Sequence, residues 1–169
     1  MLRRILAAMA AVVLGVGLAV VAGAPALAAL PVGPYSIKAQ GSNKCMDVTG
    51  VSYANGAFIQ MYDCLGGAQY NQVFYLVAVP GQPYVYQIKP SHSLKCLDIV
   101  GVSQDPGARV QQWDCLGVGQ TNQLFYVFDN YPGYTIEPKH SFQEVTWQGL
   151  FNGAAVFQWP NAGARWTLV

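Results

Sequence analysis

Charge is scarce in this sequence. Asp, Glu, Lys and Arg make up 10% of its 169 residues, and it has two histidines. With Arg3 and Arg4 of the N-terminus set aside, seven basic residues face eight acidic ones. So even a balance supplies no basic patch to neutralise phosphates, which excludes nucleic acid as a partner and suits a neutral ligand. Downstream of residue 28 no apolar run is long enough to span a bilayer. No stretch there carries the 3.6-residue apolar period of an amphipathic helix either.

Catalytic and metal-binding patterns are missing too. His92-Ser93 and His140-Ser141 look like hydrolytic pairs, but neighbours on an extended strand face opposite ways and no repeated acid stands ready to orient either His. The acidic residues form no glycosidase pair. The four cysteines, at 45, 64, 96 and 115, lack zinc-site spacing and have no His partner. The expectation is a protein that is not an enzyme and carries neither metal nor cofactor, acting as a monomer.

The first 28 residues stand apart. Arg3-Arg4 form a positive start, Ile5–Ala22 an apolar run, and Ala26-Leu27-Ala28 a small-residue cleavage signal behind Pro25. This reads as a signal peptide cut after Ala28, with the general secretory route preferred because the twin arginine lacks its flanking pattern. Retention as a membrane anchor is the competing reading, since the run is nearly long enough to span. Residues 29–169 fit one domain.

What fills that domain is a repeat. Lys44–Phe74 returns without a gap as Lys95–Phe125; over Tyr35–Val77 and Tyr86–Phe128, 22 of 43 positions are identical. A shared core alone would keep apolar positions. This repeat also keeps Asp47/Asp98, Gln60/Gln111, Asn71/Asn122 and Gln72/Gln123, with an aromatic at Tyr62/Trp113. A third copy is worn. Tyr134-Thr-Ile136 matches Tyr86-Gln-Ile88, Asn152-Gly153-Ala154 matches Asn55-Gly56-Ala57, and Gln158-Trp159 matches Gln112-Trp113. It holds Glu144 and Asn161 at the Cys positions and Thr146 at the Asp position. The repeats run over about 35–79, 84–129 and 134–169.

Short runs rich in β-branched and aromatic residues, among them Phe58–Tyr62, Phe74–Val79, Val110–Trp113 and Tyr134–Glu137, are punctuated by Gly, Pro, Asn and Asp. The fold class is all-β, with about twelve strands, four per repeat. Four cysteines allow three pairings. The repeat selects Cys45–Cys64 and Cys96–Cys115, because each pair lies within one copy and the third copy lacks both. An exported chain permits disulfides.

The pattern resembles the ricin B-chain type of lectin domain, from about Tyr35 to Val169. That resemblance implies a β-trefoil with pseudo-threefold symmetry, closing a small barrel, and one shallow sugar site per competent repeat. The Gln-x-Trp that closes each repeat of such domains is Gln72-Val-Phe74, Gln123-Leu-Phe125 and Ala164-Arg-Trp166 here, so the third repeat has lost its Gln. By the resemblance, the site residues are Asp47, Gln60, Tyr62, Asn71 and Gln72 in repeat 1, and Asp98, Gln111, Trp113, Asn122 and Gln123 in repeat 2. A carboxylate can accept two sugar hydroxyls, an amide can donate and accept, and a flat ring can cover the apolar face of a pyranose. Gln72 is expected to brace the repeat as well as touch ligand, Tyr53 to offer a further ring, Trp159 to pack or stand by, and Asn55-Gly56 to be a turn. The implied partners are glycans or polysaccharides, galactose-type first, bound by a secreted lectin with two sites. The alternative is a trefoil protein-interaction or protease-inhibitor module, which has no need of the repeated Asp, aromatic and Asn. The leader carries its own test. N-terminal sequencing of exported protein is expected to begin at Ala29, and a chain beginning at Met1 would favour the anchor.

Overall fold

Alternation builds the strands. In the first repeat, β1 (Ile37–Ala39), β2 (Lys44–Val48), β3 (Ile59–Asp63) and β4 (Phe74–Ala78) each turn apolar residues inward. The second supplies β5 (Val85–Pro90), β6 (Cys96–Ile99), β7 (Val110–Trp113) and β8 (Phe125–Asn130). The third supplies β9 (Gly133–Pro138), β10 (Glu144–Trp147), β11 (Ala154–Trp159) and β12 (Trp166–Leu168). This is a computed structural model that describes residues 29–66 and 68–169; the expected leader, 1–28, lies outside the described residues. Among those described, no helix is long and apolar enough to cross a membrane.

The first and last strands of each repeat make a six-stranded barrel in the order β4-β5-β8-β9-β12-β1. It closes where Tyr35 and Phe74 exchange backbone hydrogen bonds of 2.9 and 2.8 Å. The middle strands make three hairpins, β2–β3, β6–β7 and β10–β11, that cap one end of the barrel. The hairpins join in a ring: Gln60 pairs with Ala155, Phe58 with Gln111, and Arg109 with Phe157. Barrel closure and this ring pair the strand edges, as the β-trefoil requires.

The core repeats with the chain. Ile37, Ile88 and Ile136 form one set, Phe74, Phe125 and Trp166 a second, and Met46, Leu97 and Val145 a third, each residue at most 1% exposed. Trp166 fills the place of the missing Phe with a larger ring and finds an acceptor for its indole: Nε1–H donates to Val145 O at 3.0 Å. The worn repeat therefore still completes the barrel.

Both expected disulfides are present. Cys45–Cys64 and Cys96–Cys115 each join residues 19 apart, with Cα atoms 5.1 Å from one another. Each closes a loop of about 20 residues, worth ~3 kcal/mol on a chain-entropy model. Unreduced peptide mapping is expected to recover these two links. Reduction should lower the melting temperature by several degrees, since ~1 kcal/mol already moves it by ~2–8 °C in a domain of this size. A link between repeats would overturn the registration.

Candidate functional site: two carboxylate hubs on the hairpin cap

Asp47 sits in β2 directly opposite Gln60 of β3. Its side chain is only 4% exposed and three amides close around it. Gln60 Nε2 donates to Oδ1 at 2.9 Å, Asn71 Nδ2 to Oδ2 at 2.8 Å, and Gln72 Nε2 to Oδ2 at 3.0 Å. Asn71 and Gln72 come from a 3-10 turn, Tyr70–Gln72, just before β4. Repeat 2 builds the same hub on Asp98, where Gln111 donates at 2.8 Å, Asn122 at 2.8 Å and Gln123 at 3.0 Å. Each Asn also donates to a backbone carbonyl, Val48 O or Ile99 O. The structure therefore brings together every polar residue that the repeat singled out, twice.

The roles divide more sharply than the sequence indicated. Gln72 and Gln123 point inward: Nε2 also donates to Asp63 O or Asp114 O, and Oε1 accepts from Leu65 N or Leu116 N. Their amides are consumed by the protein, so they are braces. The expectation that each Asp could accept two sugar hydroxyls needs correction. A carboxylate offers about four lone-pair directions, and three are filled from within, two of them on Oδ2. One direction on Oδ1 remains open beside the free Oε1 of Gln60 or Gln111.

In repeat 2, Asp98, Gln111, Trp113 and Asn122 line one cleft of about 360 Å³, with Trp113 38% exposed. Gln120 lines it as well and donates to Asn122 Oδ1 at 2.8 Å. The sequence reading passed over Gln120, although Gln69 matches it in the first copy. In repeat 1 the matching Asn71 Oδ1 is buried with no protein donor among the described residues, so the two hubs differ in one unpartnered, buried acceptor. Tyr62 is half-buried opposite Cys45, held there by the disulfide segment. Tyr53 is exposed and lies edge-on to His92 of repeat 2, with centroids 5.0 Å apart.

The third repeat keeps the hairpin and loses the hub. Thr146 pairs with Phe157 where Asp pairs with Gln in the other two. Glu144, at the Cys position, ties the hairpin differently: Oε2 accepts from Ala164 N at 3.0 Å. Trp159 is not packed in the core. It is 47% exposed and lines a cleft with Thr146, Trp147, Phe157 and Asn161.

Each hub is also held from behind by a neighbouring repeat. Asn55 of repeat 1 donates Nδ2–H to Asp114 Oδ2 at 2.8 Å and accepts from Asp114 N at 3.0 Å. Asn152 of repeat 3 does the same for Asp63, at 2.8 and 2.9 Å. The Asn-Gly pair expected as a turn is thus also a clamp between repeats. Gly56 (φ +83°) allows the turn, placing its backbone beside Gln111 and Trp113. At the third junction both partners are proline, Pro106 and Pro160, and this clamp is absent. The histidines also bridge repeats: His92 Nε2 is bonded to Ser52 O between repeats 1 and 2, and His140 Nε2 to Ser103 O between repeats 2 and 3, where the clamp is missing.

The family model for the ricin-type beta-trefoil lectin domain-like family matches this chain over residues 28–113 and again over 70–159. Among solved structures, a designed three-fold symmetric protein, ThreeFoil, is 30% identical, with a TM-score of 0.73 over 80% of this chain and 96% of that one. The exo-beta-1,3-galactanase 1,3Gal43A of Clostridium thermocellum is 27% identical with a TM-score of 0.72; this chain matches 30% of that enzyme's length with 80% of its own. The Rhizoctonia solani agglutinin shares the fold at 19% identity, with a TM-score of 0.72 over 85% of this chain and 99% of that one.

The clamps make a pH prediction. Lys44, then Asn152, hold the Asp63 carboxyl below its ordinary value, and Lys95, then Asn55, do the same for Asp114. A depressed carboxyl binds fewer protons folded than unfolded, so its stabilisation is complete above the ordinary carboxylate range. That stabilisation disappears as pH falls through the folded value. In NMR titrations, Lys44→Met should raise the Asp63 midpoint more than Asn152→Ala does, and both should leave Asp114 in place. An unmoved Asp63 in both variants would refute the clamp.

Proposed function

The chain belongs to the ricin-type β-trefoil lectin-like domain family, and on that footing we propose that it is a secreted, non-enzymatic carbohydrate-binding protein. It has two sugar sites, one on the Asp47 hub and one on the Asp98 hub, and a third repeat that serves the scaffold. One observation carries this reading: the same carboxylate, three amides and neighbouring ring recur in two repeats, with matched hydrogen bonds differing by at most 0.1 Å. Secretion is supported by the leader-like sequence of residues 1–28.

The chemistry follows from what each hub leaves unused. A sugar hydroxyl donates to the open direction on Asp Oδ1, and a second reaches the Oε1 of Gln60 or Gln111. The amides fix the carboxylate beforehand, so little ordering remains to be done on binding. Tyr62 or Trp113 covers the apolar C–H face of the ring. Hydrogen bonds worth roughly 0.5–1.5 kcal/mol each, or up to ~3 with a charge, give a monosaccharide affinity of about millimolar to tens of micromolar. Galactose-type sugars are the first ligands to try.

A trefoil interaction or inhibitor module is the competing reading, and the doubled hub gives such a module nothing it needs. The two sites lie on different hairpins, so a short sugar occupies one while a polymer or coated surface engages both. The second contact is then intramolecular and raises avidity by ~10²-fold. Asp47→Ala and Asp98→Ala should each remove about one bound monosaccharide in calorimetry and leave the other site's affinity nearly unchanged. On a sugar-bearing column each should lose far more than half the retention, and the double variant nearly all of it. Thr146→Ala should leave the stoichiometry unchanged. Normal column retention by a folded double variant would defeat the sugar-site assignment in favour of the interaction module.

A further inference from the structure

The face that carries Gln111 and Trp113 extends one step further, to Arg109. Arg109, Gln111 and Trp113 alternate with buried Val110 and Gln112, so they leave the same face at intervals of about 7 Å. The Arg109 guanidinium lies over the Phe58 ring of repeat 1, with Cζ 4.4 Å from its centroid, and Phe58 is the residue that bridges to Gln111. Together they wall a cleft of about 420 Å³ lined also by Val100, Ser103 and Asp105. Val100 lines the Asp98 cleft too, so the two clefts abut.

Among the described residues Arg109 is a cation without a counter-ion. The ion pairs among the described residues are Lys44–Asp63 and Lys95–Asp114. Its Nε is buried and has no acceptor among those residues. Asp105, on the cleft rim, accepts from Ser103 Oγ and makes no ion pair with Arg109. The Phe58 ring meets the face of the cation but supplies no lone pair to its N–H groups. Stacking fixes the plane of a fork that matches a carboxylate or a sulfate, and partial burial, which also lowers its pKa, strengthens its pull on an anion. Repeat 1 has nothing equivalent: Phe58 occupies the matching position, and Ala155 is the residue opposite Gln60.

We propose that the Arg109–Phe58 cleft receives an anionic group, a carboxylate or sulfate, carried by a sugar adjoining the unit held at Asp98. Repeat 2 then selects acidic glycans and repeat 1 neutral ones. The inference rests on the reading of the Asp98 hub as a sugar site. A neutral glycan in repeat 2 leaves the cation unpaired, which is how the cleft discriminates.

The test uses an array of matched glycans, each core sugar present in neutral, uronic- or sialic-acid-bearing and sulfated forms, probed with residues 29–169. Wild type should favour acidic members over their neutral partners by about tenfold, the scale of one charge-assisted contact, and added salt should shrink the margin. Arg109→Gln should erase the preference while neutral binding and melting temperature hold. Asp98→Ala should abolish acidic binding, and Asp47→Ala should leave the preference intact. The carboxylate and sulfate arms identify the group taken. Equal binding of neutral and acidic partners by wild type, or a preference that survives in Arg109→Gln, overturns the inference and leaves the sugar-binding reading standing. No binding to any member, neutral or acidic, overturns both.

Discussion

A carboxylate almost removed from water needs donors, and the arrangement around Asp47 and Asp98 follows from that need. Each receives three amide N–H groups from two different segments, the facing strand and the 3-10 turn before the next barrel strand. Stripping one donor leaves charge uncompensated in a dry site, which costs far more than one ordinary hydrogen bond contributes. The hub therefore fixes the hairpin relative to the barrel, and the disulfide holds the same hairpin to its outgoing loop. In the proposed sites binding chemistry and scaffold share the same atoms, so a ligand would meet a carboxylate already aimed.

That sharing limits what the hub can do. With three of its acceptor directions filled, Asp47 or Asp98 has one direction left, and in the proposed sugar sites the rest of the grip falls to Gln Oε1, the ring and whatever the neighbouring repeat presents. The clefts open beside seams between hairpins, where Gly56 and Phe58 of repeat 1 stand next to Gln111 of repeat 2. Nearly identical hubs can thus differ in what they accept, because their seams differ. The seam beside Asp98 carries Arg109 over Phe58; the seam beside Asp47 offers Ala155.

The third repeat shows which constraints outlast loss of the hub. Its barrel positions keep Ile136 and Trp166 fully buried, because a gap in a closed barrel would expose the other two repeats. Its Asp becomes Thr146 and its closing Gln becomes Ala164 together, since each needs the other to satisfy it. Pro106 and Pro160 replace the Asn and Asp of the lost clamp in the same paired way.

The sequence by itself determined the repeat, the all-β class, the apolar spacing of the core, both disulfide pairings and the residues of the two hubs. These are all contacts within one repeat, where strand partners lie close along the chain and two copies at fixed spacing expose them. Tertiary structure alone decided the rest: that Gln72 and Gln123 face inward, that Asn55 and Asn152 clamp a neighbour's Asp, that Gln120 joins the cleft, and that Arg109 stacks on Phe58. The two glutamines and Gln120 take their places from how the 3-10 turn folds back on its own hairpin, whereas the clamps and the Arg109–Phe58 stack depend on how one hairpin is rotated against the next about the pseudo-threefold axis. Residues 50 to 90 apart then meet at a seam, and no periodicity along the chain records which side chains face each other across it.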